Sequence, residues 1–302
     1  MSAPGRKGET VWALTGRRFL KHRLAVVSLG VLAGLALAAL SAPLAAALIG
    51  ADASAVDLFN RFQGSSWAHP LGTDEIGRDI LVRLLYGGQI SLIVGLTAAF
   101  ASAVIGTMVG LLAGYYGGRI DAFLMRTTDG VIALPLLPLL LVMVLLFREP
   151  LNAAFGPETG IFILIVVAIG VTSWMPTARI VRGDVLALKE REFVLAARSI
   201  GTTNGKMVLR HILPNVISPI VVSATLGIAN AIITESALSF LGLGFPPDFP
   251  TWGRLLNDAV DYMQQNPERV ILPGVAISLT VLSINYLGDG LRDALDPRIR
   301  GR

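Results

Sequence analysis

The stretch LLYGGQISLIVGLTAAFASAVIGTMVGLLAGYYGG, Leu84–Gly118, runs thirty-five positions without a charged side chain. An α-helix needs roughly 17–25 mostly apolar residues to cross the hydrocarbon core of a bilayer. The run shows no barrel-strand alternation, and hydrocarbon offers backbone groups no partner outside a helix. Working outward, Leu24–Gly50, Gly130–Phe147, Thr159–Ala178, His211–Thr234 and Val270–Gly288 are uncharged too. The spacing predicts an all-α membrane protein with six transmembrane helices, at about 24–50, 88–114, 124–147, 160–178, 214–240 and 270–288. Leu24–Gly50 is long for the apolar part of a signal peptide and lacks a clear small-residue cleavage site, so it is read as a retained span.

Composition agrees. The 302 residues are 53% hydrophobic and 15% charged, where soluble domains carry about 25% charge. That excludes a disordered, collagenous or disulfide-scaffold chain. With no cysteine there is no disulfide, no thiolate nucleophile and no Cys-based metal site. The three histidines, His22, His69 and His211, are too scattered in sequence to suggest a metal cluster.

Six spans put both termini on one side. Nineteen of the 25 Lys and Arg fall on that side: before the first span, at the 2–3 and 4–5 connections, and after the last span. Basic loops stay in the cytoplasm, so residues 1–23 and the tail 291–302 are expected there, flanking a transmembrane domain at 24–290. The basic balance follows from topology and anionic headgroups and gives no support to nucleic-acid binding. In the second span Ala98, Ser102, Gly106, Gly110 and Gly114 form a stripe that lets another helix approach closely. Pro135 and Pro138 are expected to kink the third.

The 4–5 connection is RIVRGDVLALKEREFVLAARSIGTTNGKMVLRHILP, Arg179–Pro214. It is too polar for a span and too rich in helix formers for a linker. Glu192–Ile200 reads as a short amphipathic helix with Phe193, Ala196, Ala197 and Ile200 on one face. Gly201 stops it, and Thr203 or Asn204 caps a second helix ending at Pro214. The residues alone serve two roles, docking into a groove on a soluble partner or lying on the membrane surface.

Ala196-Ala197, three residues, Gly201, and Leu213-Pro214 twelve residues later resemble the EAA loop of ABC importer permeases. Leu195 stands where that family usually has Glu, and His211 where it usually has Ile. HPLGTDEIGRDILVRLLYGGQISL (His69–Leu92), GYYGGRIDAFLMRTTD (Gly114–Asp129), ESALSFLGLGFPP (Glu235–Pro247) and LGDGLRDALDPR (Leu287–Arg298) extend the resemblance. They are similar to the C-type subunit of the dipeptide/oligopeptide/nickel permeases. The resemblance implies a type I ABC importer permease fold in a bacterial inner membrane, forming half of a pathway for peptides, glutathione-like thiols or nickel complexes. It also implies three kinds of partner: a homologous second permease, one or two cytoplasmic ATPase subunits, and an extracytoplasmic solute-binding protein. The ATPase-coupling loop would then comprise Glu192, Phe193, Ala196, Ala197, Arg198, Gly201, Leu213 and Pro214.

Other segments have physical readings of their own. His69–Arg83 intersperses charges with Ile76, Ile80 and Leu81, as an amphipathic lip at the bilayer surface would. Phe245-Pro246-Pro247 is a stiff loop, with Trp252 as an interfacial anchor. Glu235 sits ~29 Å into its helix, near the headgroups, where a structural pairing is expected. GTTNGKM (Gly201–Met207) misses a P-loop twice, with three residues between its glycines and Met after its Lys. No ATP site or other cofactor is therefore expected on this chain, and ATP-Mg belongs to partner ATPases. A stand-alone secondary transporter would need an inverted repeat and a membrane-embedded charge, and neither is visible.

Overall fold

The computed structural model describes residues 11–295, so Arg6, Lys7 and the basic residues Arg298, Arg300 and Arg302 lie outside the described residues. The described chain is almost wholly helical. A short helix α1 (Val11–Lys21) leads into α2 (Arg23–Leu40) and α3 (Ala42–Ile49), and an ordered loop then leads to α4 (Ile80–Tyr116). Next come α5 (Gly118–Ile132), α6 (Leu136–Phe155), α7 (Pro157–Ser173) and α8 (Met175–Leu188). The short α9 (Glu192–Ser199) and α10 (Asn204–Lys206) precede α11 (Leu213–Phe240), α12 (Trp252–Val260) and α13 (Glu268–Leu295). Five stretches are single helices long and apolar enough to cross a bilayer: 23–40, 80–116, 136–155, 204–240 and 268–295. The pair α7 and α8, bent by 42° at Trp174, makes the sixth.

Prolines and paired charges account for the differences from the expected spans. The first, expected over 24–50, breaks at Ser41, because Pro43 cannot return a hydrogen bond to Ala39; Ser41 Oγ donates to the Ala38 carbonyl instead, 2.7 Å. The third, expected over 124–147, does not cross as one kinked helix. It separates into α5 and α6 at Ala133–Pro135, and the long apolar helix runs on to Phe155. The second starts at Ile80 and not near 88. Arg83, which ended the uncharged run, is fully buried and paired there.

Helix α4 is the axis of the fold, with α2, α7, α8 and α11 around it. Its small residues make this possible. A Cβ at Gly106 would stand 2.5 Å from the Trp174 carbonyl oxygen, and one at Gly114 would stand 2.7 Å from Val185 Cβ. The stripe thus seats α8, and above it Val94, Ala98 and Ala99 meet Ile161, Ile165 and Ile169 of α7.

The end opposite the termini corrects two expectations. His69–Arg83 is no surface lip, since Asp74, Arg78, Asp79 and Arg83 are all buried. Arg78 Nε donates to Asp74 Oδ2 at 2.6 Å, and Arg83 Nη2 donates to Asp258 Oδ2 at 3.3 Å. Both guanidiniums also reach the Pro247 carbonyl, at 3.3 and 3.4 Å. Buried charges are tolerated only when paired in this way. Trp252 is not an interfacial anchor. It is 3% exposed, packs on Gly87 and Gly88, and donates from Nε1 to the Leu84 carbonyl, 3.0 Å. Glu235 is fully buried, and its partners are hydroxyls: Ser239 Oγ donates at 2.7 Å and Ser91 Oγ at 3.0 Å.

Candidate functional site

The helix–Gly–helix element lies at the end of the molecule that carries α1 and the last turns of α13. Its first helix, α9, begins at Glu192 and carries Arg198 in its last turn, charges that suit the two ends of the helix dipole. Gly201 ends it with φ +81, its N–H donating to the Arg198 carbonyl at 3.0 Å while Thr202 N donates to the Ala197 carbonyl at 3.2 Å. No atom lies within 4 Å of a Cβ at this position, so glycine is required by the backbone conformation and not by crowding.

The faces of α9 differ from the expected ones. Phe193, Ala196, Ala197 and Ile200 do not share one environment. Ala197 points inward and is 6% exposed. With Val194 it joins a cluster of Leu111, Val181, Val185, Met207, Ile212 and Val216, against which Leu213 packs. Phe193, Ala196 and Ile200 point outward, and Ile200 is 84% exposed. The i, i+3 pair Val194/Ala197 is the inner anchor, which the Ala-Ala motif concealed. Leu195, at the family's usual Glu position, is also on the surface, as is Leu209 on the following turn.

The second helix does not end at Pro214. Thr203 holds the N-cap place without a side-chain cap bond, and Asn204 Oδ1 accepts from the Tyr115 hydroxyl at the end of α4, 2.8 Å. A wide π-turn over Met207–Ile212 follows, and α11 continues directly from Leu213. Pro214 lacks the N–H that would bond Arg210, and the wider turn just before it accommodates that loss. The expected loop 179–214 therefore narrows to a connection of about fifteen residues between α8 and a helical run over 204–240.

Ion pairs tie this end together. Arg182 Nε and Nη2 reach both oxygens of Asp121 on α5, at 2.5 and 2.6 Å, and hold its carboxyl below the usual carboxylate range. Arg179 pairs with Asp129, and Lys189 Nζ donates to the Gly114 carbonyl at 3.3 Å. The structure thus brings Glu192, Phe193, Ala196, Ala197, Arg198 and Gly201 into one short unit. Leu213 belongs to the same apolar cluster, and Pro214 stands exposed at the head of α11. The unit presents Phe193, Leu195, Ala196 and Ile200 on an exposed surface between α8 and α11.

Residues 106–301 match the family described as binding-protein-dependent transport system inner membrane component, and residues 10–54 match the N-terminal TM domain of oligopeptide transport permease C. The dipeptide transport system permease protein DppC of Alkalihalophilus pseudofirmus is 39% identical over 289 residues, 96% of this chain and 90% of that protein. The oligopeptide transport system permease protein OppC of Bacillus subtilis is 38% identical over 296 residues, 98% of this chain and 92% of that protein. Among solved structures, an inward-facing form of the MetNI methionine ABC transporter is similar in fold, with a TM-score of 0.56 at 20% identity. The match covers 71% of this chain and 97% of that one.

Proposed function

The chain belongs to the family of binding-protein-dependent transport system inner membrane components, and from that premise we propose that it is the C-type permease subunit of an ATP-driven peptide importer. It forms half of the transmembrane pathway, beside a homologous permease. One or two ATPase subunits bind on the cytoplasmic side, and an extracytoplasmic solute-binding protein delivers the peptide. The names of its relatives, dipeptide and oligopeptide permeases, support the substrate class. The bias of Lys and Arg toward the terminal side supports cytoplasmic termini in a bacterial inner membrane.

One observation carries the coupling role. Helix α9 and its C-cap turn Phe193, Ala196 and Ile200 outward, while Val194 and Ala197 join the apolar cluster that holds residues of α8 and the π-turn. An ATPase cleft closing on the outer face would push α9, and the inner face would pass the push to α8 and α11. The energy comes from the partner, because Gly201–Met207 lacks the spacing and the hydroxyl of a phosphate loop.

The test is reconstitution. Proteoliposomes holding both permeases and the ATPases, supplied with the binding protein and internal ATP, should accumulate a labelled dipeptide. This chain alone should neither accumulate it nor hydrolyse ATP. Uptake by the chain alone would instead mark a secondary transporter.

A further inference from the structure

The chain enters its first span through a sharp corner that carries positive charge. Helix α1 ends at Lys21, and His22, with φ −83 and ψ 90, breaks the helical path before α2 opens at Arg23. His22 Nδ1 caps α2 by accepting from Ala25 N at 3.2 Å. The last turns of α13 hold the corner in place. A Cβ at Gly290 would stand 2.3 Å from Ala25 Cβ, 3.4 Å from Phe19 Cε2 and 3.6 Å from His22 Nδ1.

That packing fixes the depth of α1. Residues 23–40 are 18 positions of apolar helix, about 27 Å, which takes up most of a hydrocarbon core. Arg23 therefore stands at the edge of the hydrocarbon, and α1 lies at the level of the head groups. A long basic side chain at such an edge extends toward the polar side.

Two kinds of side chain are exposed at the corner. Arg17, Lys21 and Arg23 are basic. Leu20 is 68% exposed, and Leu24 and Val27, three residues apart on one face of α2, continue the apolar surface at 54% and 63%. Counter-charge is sparse. No acid occurs between Glu9 and Asp52, and among the described residues neither Lys21 nor Arg23 has an acidic partner. The acids on the last turns of α13 are Asp289 and Asp293, the second 3.8 Å from His22 Nε2. Against these two stand Arg17, Arg18, Lys21 and Arg23, with Arg292 on α13 itself.

Basic groups at head-group depth above an apolar strip that runs into the bilayer match the build of one anionic phospholipid. A zwitterionic head group brings its own cation, which this corner repels. We propose that the α1–α2 corner binds an anionic phospholipid, its head group on Lys21 and Arg23 and an acyl chain along Leu20, Leu24 and Val27. The inference rests on the membrane placement of α2 and not on the transported substrate.

The chain has no cysteine, so Leu20→Cys and Leu37→Cys can each carry one bimane label in the complete transporter, its partners freed of cysteine. Leu37 is 67% exposed on the far half of α2 and serves as the control. The transporter is placed in phosphatidylcholine nanodiscs holding a minor share of brominated phosphatidylglycerol or, separately, brominated phosphatidylcholine. Both leaflets then carry the probe lipid, so the result does not depend on the direction of insertion. A Lys or Arg beside an anionic lipid favours its binding about fivefold. Brominated phosphatidylglycerol should therefore quench L20C at least threefold more strongly than brominated phosphatidylcholine, while L37C responds to both alike. Lys21→Gln with Arg23→Gln should abolish the preference, and Lys21→Arg with Arg23→Lys should keep it. Raising the salt from about 0.05 to 0.5 M should at least halve the preference without any change of sequence. Equal quenching of L20C by the two lipids would overturn the proposal, as would a preference indifferent to both charges and salt. Quenching of L37C but not of L20C by either lipid would show a neighbouring subunit covering the corner, and would overturn it too.

Discussion

Gly110 lies so close to Ala178 that a Cβ at position 110 would stand 2.6 Å from the Ala178 carbonyl oxygen and 2.8 Å from Val181 Cβ. Both obstacles are on α8, one of them backbone, so a side chain there must push two helices apart. Overpacking of this kind costs roughly 1–3 kcal/mol. Gly110→Val should lower the thermal midpoint of the detergent-solubilised protein by several degrees. Gly183→Ala, on α8 with no atom within 4 Å of its Cβ, should leave it unchanged or raise it, since alanine is the better helix former by ~1 kcal/mol.

Asp121 gives the fold a pH dependence with a definite sign. Its carboxyl is held below the usual range, chiefly by the hydrogen bonds from Arg182. Its contribution is therefore present above the unfolded value, ordinarily about 3.9, and is lost as pH falls through the lower folded value. Asp121→Asn should melt about 1–3 °C below the parent at pH 7, the range of a partly exposed ion pair. Melting curves taken down to pH 3 should show that gap closing. A gap that persists or widens in acid would mean that Arg182 does not act on this carboxylate.

Arg83 has no exposed surface and stands between Asp74 and Asp258, at 3.7 and 3.3 Å. Removing one member of a buried ionic cluster strands the others, at about 3–5 kcal/mol. Arg83→Met should sharply reduce the yield of folded protein, and Arg83→Met with Asp258→Asn should recover part of it. Quantitative membrane extraction and melting of the three forms checks this.

Gly201 should not accept Leu without loss of transport. With φ at +81, Gly201→Leu carries a backbone cost of ~1–2 kcal/mol and no steric clash. The protein should insert and fold normally, while uptake falls at least tenfold because α9 is misaimed. Protease accessibility of the 189–203 connection alongside uptake separates the two effects.

The uncharged runs made the long apolar helices legible, and the motifs marked the helix–Gly–helix element that follows α8. Two physical causes hid the rest. Counting between charges cannot see a charge neutralised in the fold, so Arg83 cut short a helix that begins at Ile80, and the buried pairs around Asp258 looked like a surface lip. Proline marks a break without saying how large it is: Pro135 separates α5 from α6, whereas Pro214 leaves its helix uninterrupted beyond a π-turn. The faces of α9 depended on tertiary partners. Ala197 looked available to a partner because it is small, yet it is buried in the apolar cluster that includes Val181 and Met207. Ala197→Trp would therefore damage the anchor and would not report on docking.

The outer face of α9 is the surface on which the ATPase is proposed to dock. Phe193→Asp with Ile200→Asp changes two exposed side chains and leaves Val194 and Ala197 in place, so the permease should fold with an unaltered melting curve. Co-purification of the ATPase on the tagged permease complex should drop at least tenfold, a loss of ~1.4 kcal/mol or more in docking, and uptake should fall with it. Leu195→Glu on the same helix should retain both. A double variant that holds its ATPase and transports at the parental rate would show that this face is not the docking surface.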